Sequence, residues 1–337
     1  MKIAIDCRYL GKSGIGRVCR GILDNLDYQE NEYYLIGNPK ELSNYNATII
    51  EDLSDPFSPK GLLTYHKKLN SVCDIYLTPN FIVPFGIKIP IYSIIHDLIF
   101  LDLKKMTKGV VDKLIKKYLL LRCVKKSRKV FCVSEFTKNR CIHYYKKYTN
   151  KFIVNYNGLS DSVLSYDKTV EKRKGDLIFV GNVKPHKGLK TLVEAFNMLP
   201  DGYTLKIIGE KDNFITGFNT DDIKNDKIVF TGKLSDDKLL DEIASAEFLI
   251  QPSEYEGFGI PPLEALYLGT KPIVSDIEVF KEVYNGFPVQ FFALSNASDL
   301  KDKILSTDYK IEDQKQKIIQ TYNYSKTAKT IVENLKK

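Results

Sequence analysis

The stretch Glu256-Gly257-Phe258-Gly259-Ile260-Pro261-Pro262-Leu263-Glu264 places two carboxylates, with seven residues between them, around two glycines and a proline pair. An apolar run ending at Gln251 precedes it, and Gly269 follows. Proline in the first turn and glycine just past the last predict a helix from Pro261-Pro262 to near Gly269. A strand, a glycine loop and a helix start in that order expose backbone N–H groups and the positive end of a helix dipole, which suits a diphosphate. Gly257 and Gly259 let the backbone come close to such a ligand. Glu264, in the first helical turn, could accept from ribose hydroxyls while Glu256 faces a sugar. A carboxylate at a helix start is otherwise a merely favourable charge, and it is the surrounding Phe258, both glycines and Pro261 that favour the ligand.

Phe179-Val180-Gly181-Asn182-Val183-Lys184-Pro185-His186-Lys187-Gly188 repeats the strand–loop–helix pattern. A departing diphosphate gains negative charge, and in the absence of a metal a cation must meet it. Lys187 is the candidate, with Lys184 and His186 as contenders. Nearer the N-terminus, Ser13-Gly14-Ile15-Gly16-Arg17 follows the opening strand; Gly-x-Gly there describes a tight turn as well as a phosphate loop. His96-Asp97 ends the strand Ile91–Ile95, at the sheet edge where sites lie. Asp-x-Asp, His-Glu-x-x-His, paired C-x-x-C, P-loop and Gly-x-Ser-x-Gly patterns are missing from the chain. That argues against divalent-metal transfer, zinc hydrolysis, NTPase chemistry and serine hydrolysis; no metal and no cofactor are expected.

Positioning these segments requires parallel sheets. Short β-rich runs alternate with helical patterns, at Lys2–Asp6, Tyr33–Gly37, Asp74–Leu77, Ile91–Ile95, Lys129–Val133 and Phe152–Asn155, then at Asp176–Gly181, Thr204–Gly209, Lys227–Thr231, Glu247–Gln251, Lys271–Ser275 and Val289–Phe292. An α/β architecture follows. The pattern runs twice, and 337 residues suffice for two domains. The polar stretch 157–176 is the expected linker, giving lobes of 1–165 and 166–324.

Charge is uneven. Residues 104–151 hold sixteen Lys or Arg against Asp112 and Glu135, a net +14 in a chain of net +8, so the remainder carries −6. Such a block suggests a polyanionic partner. Residues 104–126 read as an amphipathic basic helix with Met106, Val110, Val111, Leu114, Ile115, Tyr118 and Leu119 as its apolar stripe, either packed on a sheet or lying on a membrane surface. Nucleic acid is the weaker partner, since no stacking motif or reading helix is present. No run is long and apolar enough to span a bilayer. The six cysteines lack paired spacing and read as reduced, packed thiols. The opening Met-Lys-Ile-Ala-Ile-Asp enters a strand without a signal-like core. A cytoplasmic protein is expected, with any membrane contact peripheral and on the inner face.

Gly14-Ile15-Gly16-Arg17, Ile95-His96-Asp97-Leu98, Val133-Ser134-Glu135-Phe136-Thr137, Asn157-Gly158, Phe179–Gly188 and above all Tyr255–Ala265 together resemble the retaining glycosyltransferase family four, among the group 1 glycosyltransferases. The resemblance implies a GT-B fold, two facing Rossmann-like lobes with an interdomain cleft, the donor nucleotide mainly on the second lobe and the acceptor entering from the first. It implies that Glu256 contacts the transferred sugar, Glu264 the ribose and Lys187 the diphosphate. Backbone groups of Phe258, Gly259 and Ile260 would meet sugar and phosphate, and those of Lys233 and Leu234 the base. His96 would lie beside the reacting sugar, Gly14, Gly16 and Arg17 over the diphosphate, and a last helix, 325–337, would return to the first lobe. Many members carry arginine directly after the strand glycine Gly181, where this chain has Asn182; Arg17 or Lys184 could supply the missing charge.

The same resemblance implies a hexose transferred with retention, best matched to mannose from GDP-mannose, onto a glycan or lipid-linked oligosaccharide in surface polysaccharide synthesis. UDP- and dTDP-sugars are alternatives. So are a two-lobed sugar-nucleotide epimerase, which needs no acceptor, and a non-catalytic subunit of an assembly complex.

Overall fold

The computed structural model describes residues 1–11, 14–63, 68–103, 106–107, 109–210, 223, 225–306 and 313–336. Ser13 of the first glycine loop and Lys104, Lys105 and Lys108 of the basic block lie outside the described residues. The chain divides into two compact units, Met1–Gly158 with Asn323–Lys337, and Leu159–Tyr322.

The first unit is built on β1 (Lys2–Asp6), β2 (Glu32–Gly37), β3 (Thr48–Glu51), β4 (Ile75–Thr78), β5 (Ile91–Ile95), β6 (Ser127–Cys132) and β7 (Phe152–Val154). The spatial order is β3-β2-β1-β4-β5-β6-β7, with every pair parallel. Crossover helices cover both faces of such a sheet, so its strands are apolar throughout rather than alternating. β5, Ile-Tyr-Ser-Ile-Ile, is buried at all five positions. The direction of strand addition reverses between β1 and β4, and crevices for ligands open at the carboxyl ends there.

The second unit holds β8 (Arg173–Val180), β9 (Thr204–Ile208), β10 (Ile228–Gly232), β11 (Ala246–Gln251), β12 (Lys271–Ser275) and β13 (Gln290–Phe292). Their order is β10-β9-β8-β11-β12-β13, again all parallel, and the reversal lies between β8 and β11. Leu177, Phe179, Phe248, Ile250 and Ile273 form the core on one face with Leu192 and Phe196 of the helix Leu189–Phe196. Leu239, Ile243 and Ala265 cover the other face. The α/β class with two parallel sheets is the one the sequence predicts.

Three boundaries differ from expectation. The short helix Asp161–Leu164, placed before the expected break, belongs to the second unit, because the Tyr267 hydroxyl donates to the Leu164 carbonyl at 2.9 Å. The supposed linker ends inside β8, whose first residues are Arg173 and Lys174. Asn323 and Tyr324 belong to the first unit: Asn323 caps the helix Tyr324–Leu335 by accepting from the Lys326 N–H. That helix is held by Thr327, whose hydroxyl donates to the Tyr156 carbonyl at 2.7 Å, and by the Asn155 amide donating to the Thr327 carbonyl at 3.2 Å. A Cβ on Gly21 would lie 2.4 Å from the Tyr324 ring, so glycine is what admits it.

Within the basic block, the helix expected over 104–126 runs from Val110 to Lys126 with Gly109 at its N-cap, followed by β6 and the helix Glu135–Tyr144. The expected apolar stripe does not face a sheet. Leu119 is buried, but Val110, Val111, Leu114, Ile115 and Tyr118 are exposed. All six cysteines are buried thiols. Among the described residues no helix is long and apolar enough to cross a membrane.

Candidate active site

The loops after β8 and β11 meet at the switch point of the second sheet. Lys187, in the turn Pro185–Lys187, and Glu256, in the loop before the helix Ile260–Tyr267, form an ion pair with Nζ and Oε1 2.6 Å apart. The loops are also joined through backbone, the Glu254 N–H donating to the His186 carbonyl at 2.7 Å. Two glycines make this approach possible. Gly188 has φ +67, and a Cβ on it would sit 1.9 Å from the Pro252 carbonyl oxygen; Gly259 has φ +87, and a Cβ would sit 2.5 Å from the Phe280 ring. An L residue pays both a conformational and a steric cost in either position.

Three donors converge on Glu256 Oε1. Besides Lys187, the Ser253 hydroxyl donates at 2.7 Å and the Gln251 amide at 3.3 Å. Gln251 also donates to the Ser253 hydroxyl at 3.0 Å, and the Ser275 hydroxyl donates to the Ser253 carbonyl. Burial pushes the Glu256 carboxyl upward, but the charge and hydrogen bond of Lys187, with His186 and the Ser253 hydroxyl, outweigh it and hold the group below its ordinary value. Glu256 is therefore an oriented carboxylate. His186 moves the other way. Its burial and the Lys187 charge push it down to about 4, so at neutral pH it is an uncharged ring and not a phosphate-binding cation.

Ser253, Gln251, Ser275 and Tyr284 escaped the sequence reading. Tyr284 donates its hydroxyl to the Gly259 carbonyl, and both Glu256 and Glu264 add to the burial that pushes its phenol up. A polar residue closing an apolar strand, as Gln251 does, was the available signal.

The remaining expected donor residues spread along the same edge. Ile260 opens the helix, with Gly259 at its N-cap. Phe258 is a core residue, its ring edge-on to Tyr322 at 5.4 Å, so only its backbone can serve a ligand. Glu264 sits in the second helical turn rather than the first and is 5% exposed. A dipole effect confined to the first turn does not explain a buried carboxylate there. Gly181, φ +151, donates its N–H to the Ile208 carbonyl at 2.9 Å. The Asn182 side chain accepts from the Glu210 N–H at 3.4 Å, which holds the β8 loop to the end of β9 instead of offering a charge. Lys184 and Lys233 are exposed, and Leu234 packs under the second face of the sheet.

Gly14, Gly16, Arg17 and His96 belong to the first unit. Gly14 opens the helix Gly14–Asp24 and is exposed, as is Arg17. Gly16 has a packing reason to be glycine, since a Cβ would lie 2.3 Å from the Tyr9 carbonyl oxygen. His96 follows β5, with Nε2 2.7 Å from the Pro79 carbonyl oxygen. A carbonyl can only accept, so Nε2 carries the proton. Burial lowers the ring's pKa more than Pro79 and Asp97 raise it, leaving a neutral imidazole with Nδ1 as an acceptor. The Val133–Thr137 motif fixes it in place: Ser134 caps the helix Glu135–Tyr144 by accepting from the Thr137 N–H, and the Thr137 hydroxyl donates to the His96 carbonyl at 3.3 Å. The sequence reading also missed Arg8, which is buried among Asp6, Asp52, Ser54 and the Gly61 carbonyl.

Known proteins bear on this geometry. Over 176 residues the chain is 31% identical to the O-antigen chain mannosyltransferase RfbU of Salmonella typhimurium, a match covering 51% of this chain and 49% of that one. It is 28% identical over 305 residues to an uncharacterized glycosyltransferase of Methanocaldococcus jannaschii, covering 84% of this chain and 78% of the relative. The fold matches Anabaena HepE in complex with UDP and glucose, with a TM-score of 0.72 over 100% of this chain and 99% of that chain at 16% identity, a likeness of fold alone. The family model for glycosyl transferases group 1 matches residues 165–337, just over half of the sequence and the whole of the loop pair around Lys187 and Glu256, and the chain belongs to that family.

Proposed function

We propose that the chain is a retaining glycosyltransferase that needs no divalent metal and moves a hexose, mannose from GDP-mannose, to a glycan or lipid-linked oligosaccharide acceptor in surface polysaccharide synthesis. The observation that carries this reading is the 2.6 Å pair of Lys187 with Glu256, set between two glycine-bearing loops at the switch point of the second sheet. The Salmonella relative, named as an O-antigen chain mannosyltransferase, supports the choice of sugar and pathway.

The pair defines an exchange. An arriving diphosphate draws the Lys187 ammonium onto its oxygens, and Glu256, still held by Ser253 and Gln251, turns its charge to the sugar. The bond from the anomeric carbon to the phosphate oxygen breaks, and the pair's two charges meet the two poles that form, Lys187 the anionic leaving group and Glu256 the cationic sugar. The acceptor oxygen bonds to the anomeric carbon from the same face, and its proton passes to the leaving phosphate oxygen. Glu264 takes the ribose hydroxyls, Phe258, Gly259 and Ile260 offer backbone N–H groups, Lys233 and Leu234 meet the base, and Gly181, Asn182 and Lys184 line the phosphate loop. The family resemblance alone assigns His96, Gly14, Gly16 and Arg17, which lie on the first unit.

The test is a panel of GDP-, UDP- and dTDP-sugars with a chelator present, following nucleotide release with and without a mannose-terminated acceptor and reading the product's anomeric configuration by NMR. Acceptor-dependent release from GDP-mannose with retention is expected. Inversion or a strict metal requirement would overturn the mechanism, and silence with every donor would overturn the transferase reading.

A further inference from the structure

An amphipathic helix on a parallel sheet normally turns its apolar residues inward and its charges out. The helix Val110–Lys126 has two apolar faces. Leu119, Leu120, Cys123 and Val124 face the sheet. Val110, Val111, Leu114, Ile115, Tyr118 and Leu121 point to solvent, between 42 and 76% exposed. At about 100° and 1.5 Å per residue, the second set falls within an arc of about 140° and a length of about 17 Å. No residue from Val110 to Tyr118 is buried, and only Asp112, Lys113 and Lys116 are half-buried, so the first two turns leave their apolar side chains to solvent. The C-terminal half is anchored: the Arg122 guanidinium donates to the Val83 carbonyl, and to the Pro84 carbonyl at 3.0 Å, and lies 4.2 Å from the centre of the Phe85 ring.

A contiguous exposed apolar stripe marks an interaction surface. We infer that this face docks the first unit on an anionic lipid surface. Charge selects the occupant. By the same helical spacing Lys125 lies within the stripe and Lys117 and Lys126 border it, while Arg122 is held by the Val83 and Pro84 carbonyls and Lys116 by Asp112 at 2.9 Å. A second copy would bring the same positive excess to the same face. Nucleic acid would use the lysines and leave the aliphatic stripe in water. A membrane interface takes both, its phosphates meeting the basic groups while the apolar residues enter the boundary between headgroups and acyl chains, a depth at which tyrosine is also at home. The surface is independent of the transferase chemistry and lies on the unit that lacks the Lys187–Glu256 pair.

The experiment is flotation of the full chain with phosphatidylcholine vesicles, pure or containing one-third phosphatidylglycerol. Wild type is expected to float with the anionic vesicles and to be released by salt. The variants L114S/I115S/Y118S and K113Q/K117Q/K125Q should each partition about tenfold less, with unchanged thermal melting because these side chains support nothing inside the unit. Equal flotation of wild type and L114S/I115S/Y118S, or no preference for the anionic vesicles, would overturn the inference. So would a dimer in sedimentation that the same three substitutions abolish, or displacement from vesicles by duplex DNA. Flotation reads bound protein and not turnover, so its failure would leave the proposed transfer reaction standing.

Discussion

The carboxyl edges of the two sheets each carry a cation held by carboxylate, and the two are built for different purposes. In the first unit, the Arg8 guanidinium is 4% exposed and hydrogen-bonds to Asp6, Asp52, Ser54 and the Gly61 carbonyl. Asp6 also accepts from the Tyr76 hydroxyl at 3.0 Å. In the second, Lys187 meets one carboxylate oxygen with its side chain 19% exposed. A planar fork saturated on every side is a structural clamp, whereas a flexible ammonium at an open edge can exchange its partner. The same β-strand edge thus yields a scaffold in one unit and a candidate reaction centre in the other.

Removing Arg8 should separate the two roles most sharply. Arg8→Met strands Asp6 and Asp52 in the interior and should cost about 3–5 kcal/mol of stability, read by denaturant unfolding; a loss under about 1 kcal/mol would mean that the clamp is not structural. His186 gives the next effect. Its ordinary value is 6.5 and its folded value about 4, so the unfolded chain takes up the proton first. Stability is full above pH 6.5 and falls as pH drops toward 4, by up to about 3 kcal/mol. His186→Gln should flatten that part of the unfolding profile.

Lys187→Ala and Glu256→Gln should each lower turnover more than tenfold, a barrier increase of more than about 1.4 kcal/mol, in steady-state nucleotide release. Near-normal rates in either would remove that residue from the mechanism. The smallest effect belongs to the support of His96: Thr137→Val deletes the hydroxyl bonded to the His96 carbonyl and should cost about 1 kcal/mol of first-unit stability, while the same substitution left neutral in melting would show that the backbone alone sets the ring.

Much of the loop pair at the carboxyl edge of the second sheet was legible in the sequence. Behind the strand end at Gln251, positions 256–264 carry two glutamates, two glycines and two prolines, and the backbone features among them have local causes, since positive φ at Gly259 and proline in the first helical turn are backbone requirements. β3 was not legible. Its four residues, Thr-Ile-Ile-Glu, pair only with β2 at the sheet edge and are half exposed, so they carry too weak a pattern to separate from a loop. Gln251, Ser253 and Ser275 were hidden for another reason, because their common target, the Glu256 loop, comes together only when β11 and β12 align.

Local composition and periodicity determined the parallel sheets, the doubled α/β pattern, the helix start after Gly259 and the identity of the charged residues near it, because backbone preference and burial on both faces of a strand act over a few neighbours. Tertiary structure decided which charges meet. It paired Lys187 with Glu256 across 69 positions of sequence, turned Asn182 to the backbone of β9's end, buried Arg8, and left the apolar stripe of Val110–Lys126 facing water. Those outcomes depend on strand order and on which helix face finds room against a sheet, and neither is encoded within a single segment.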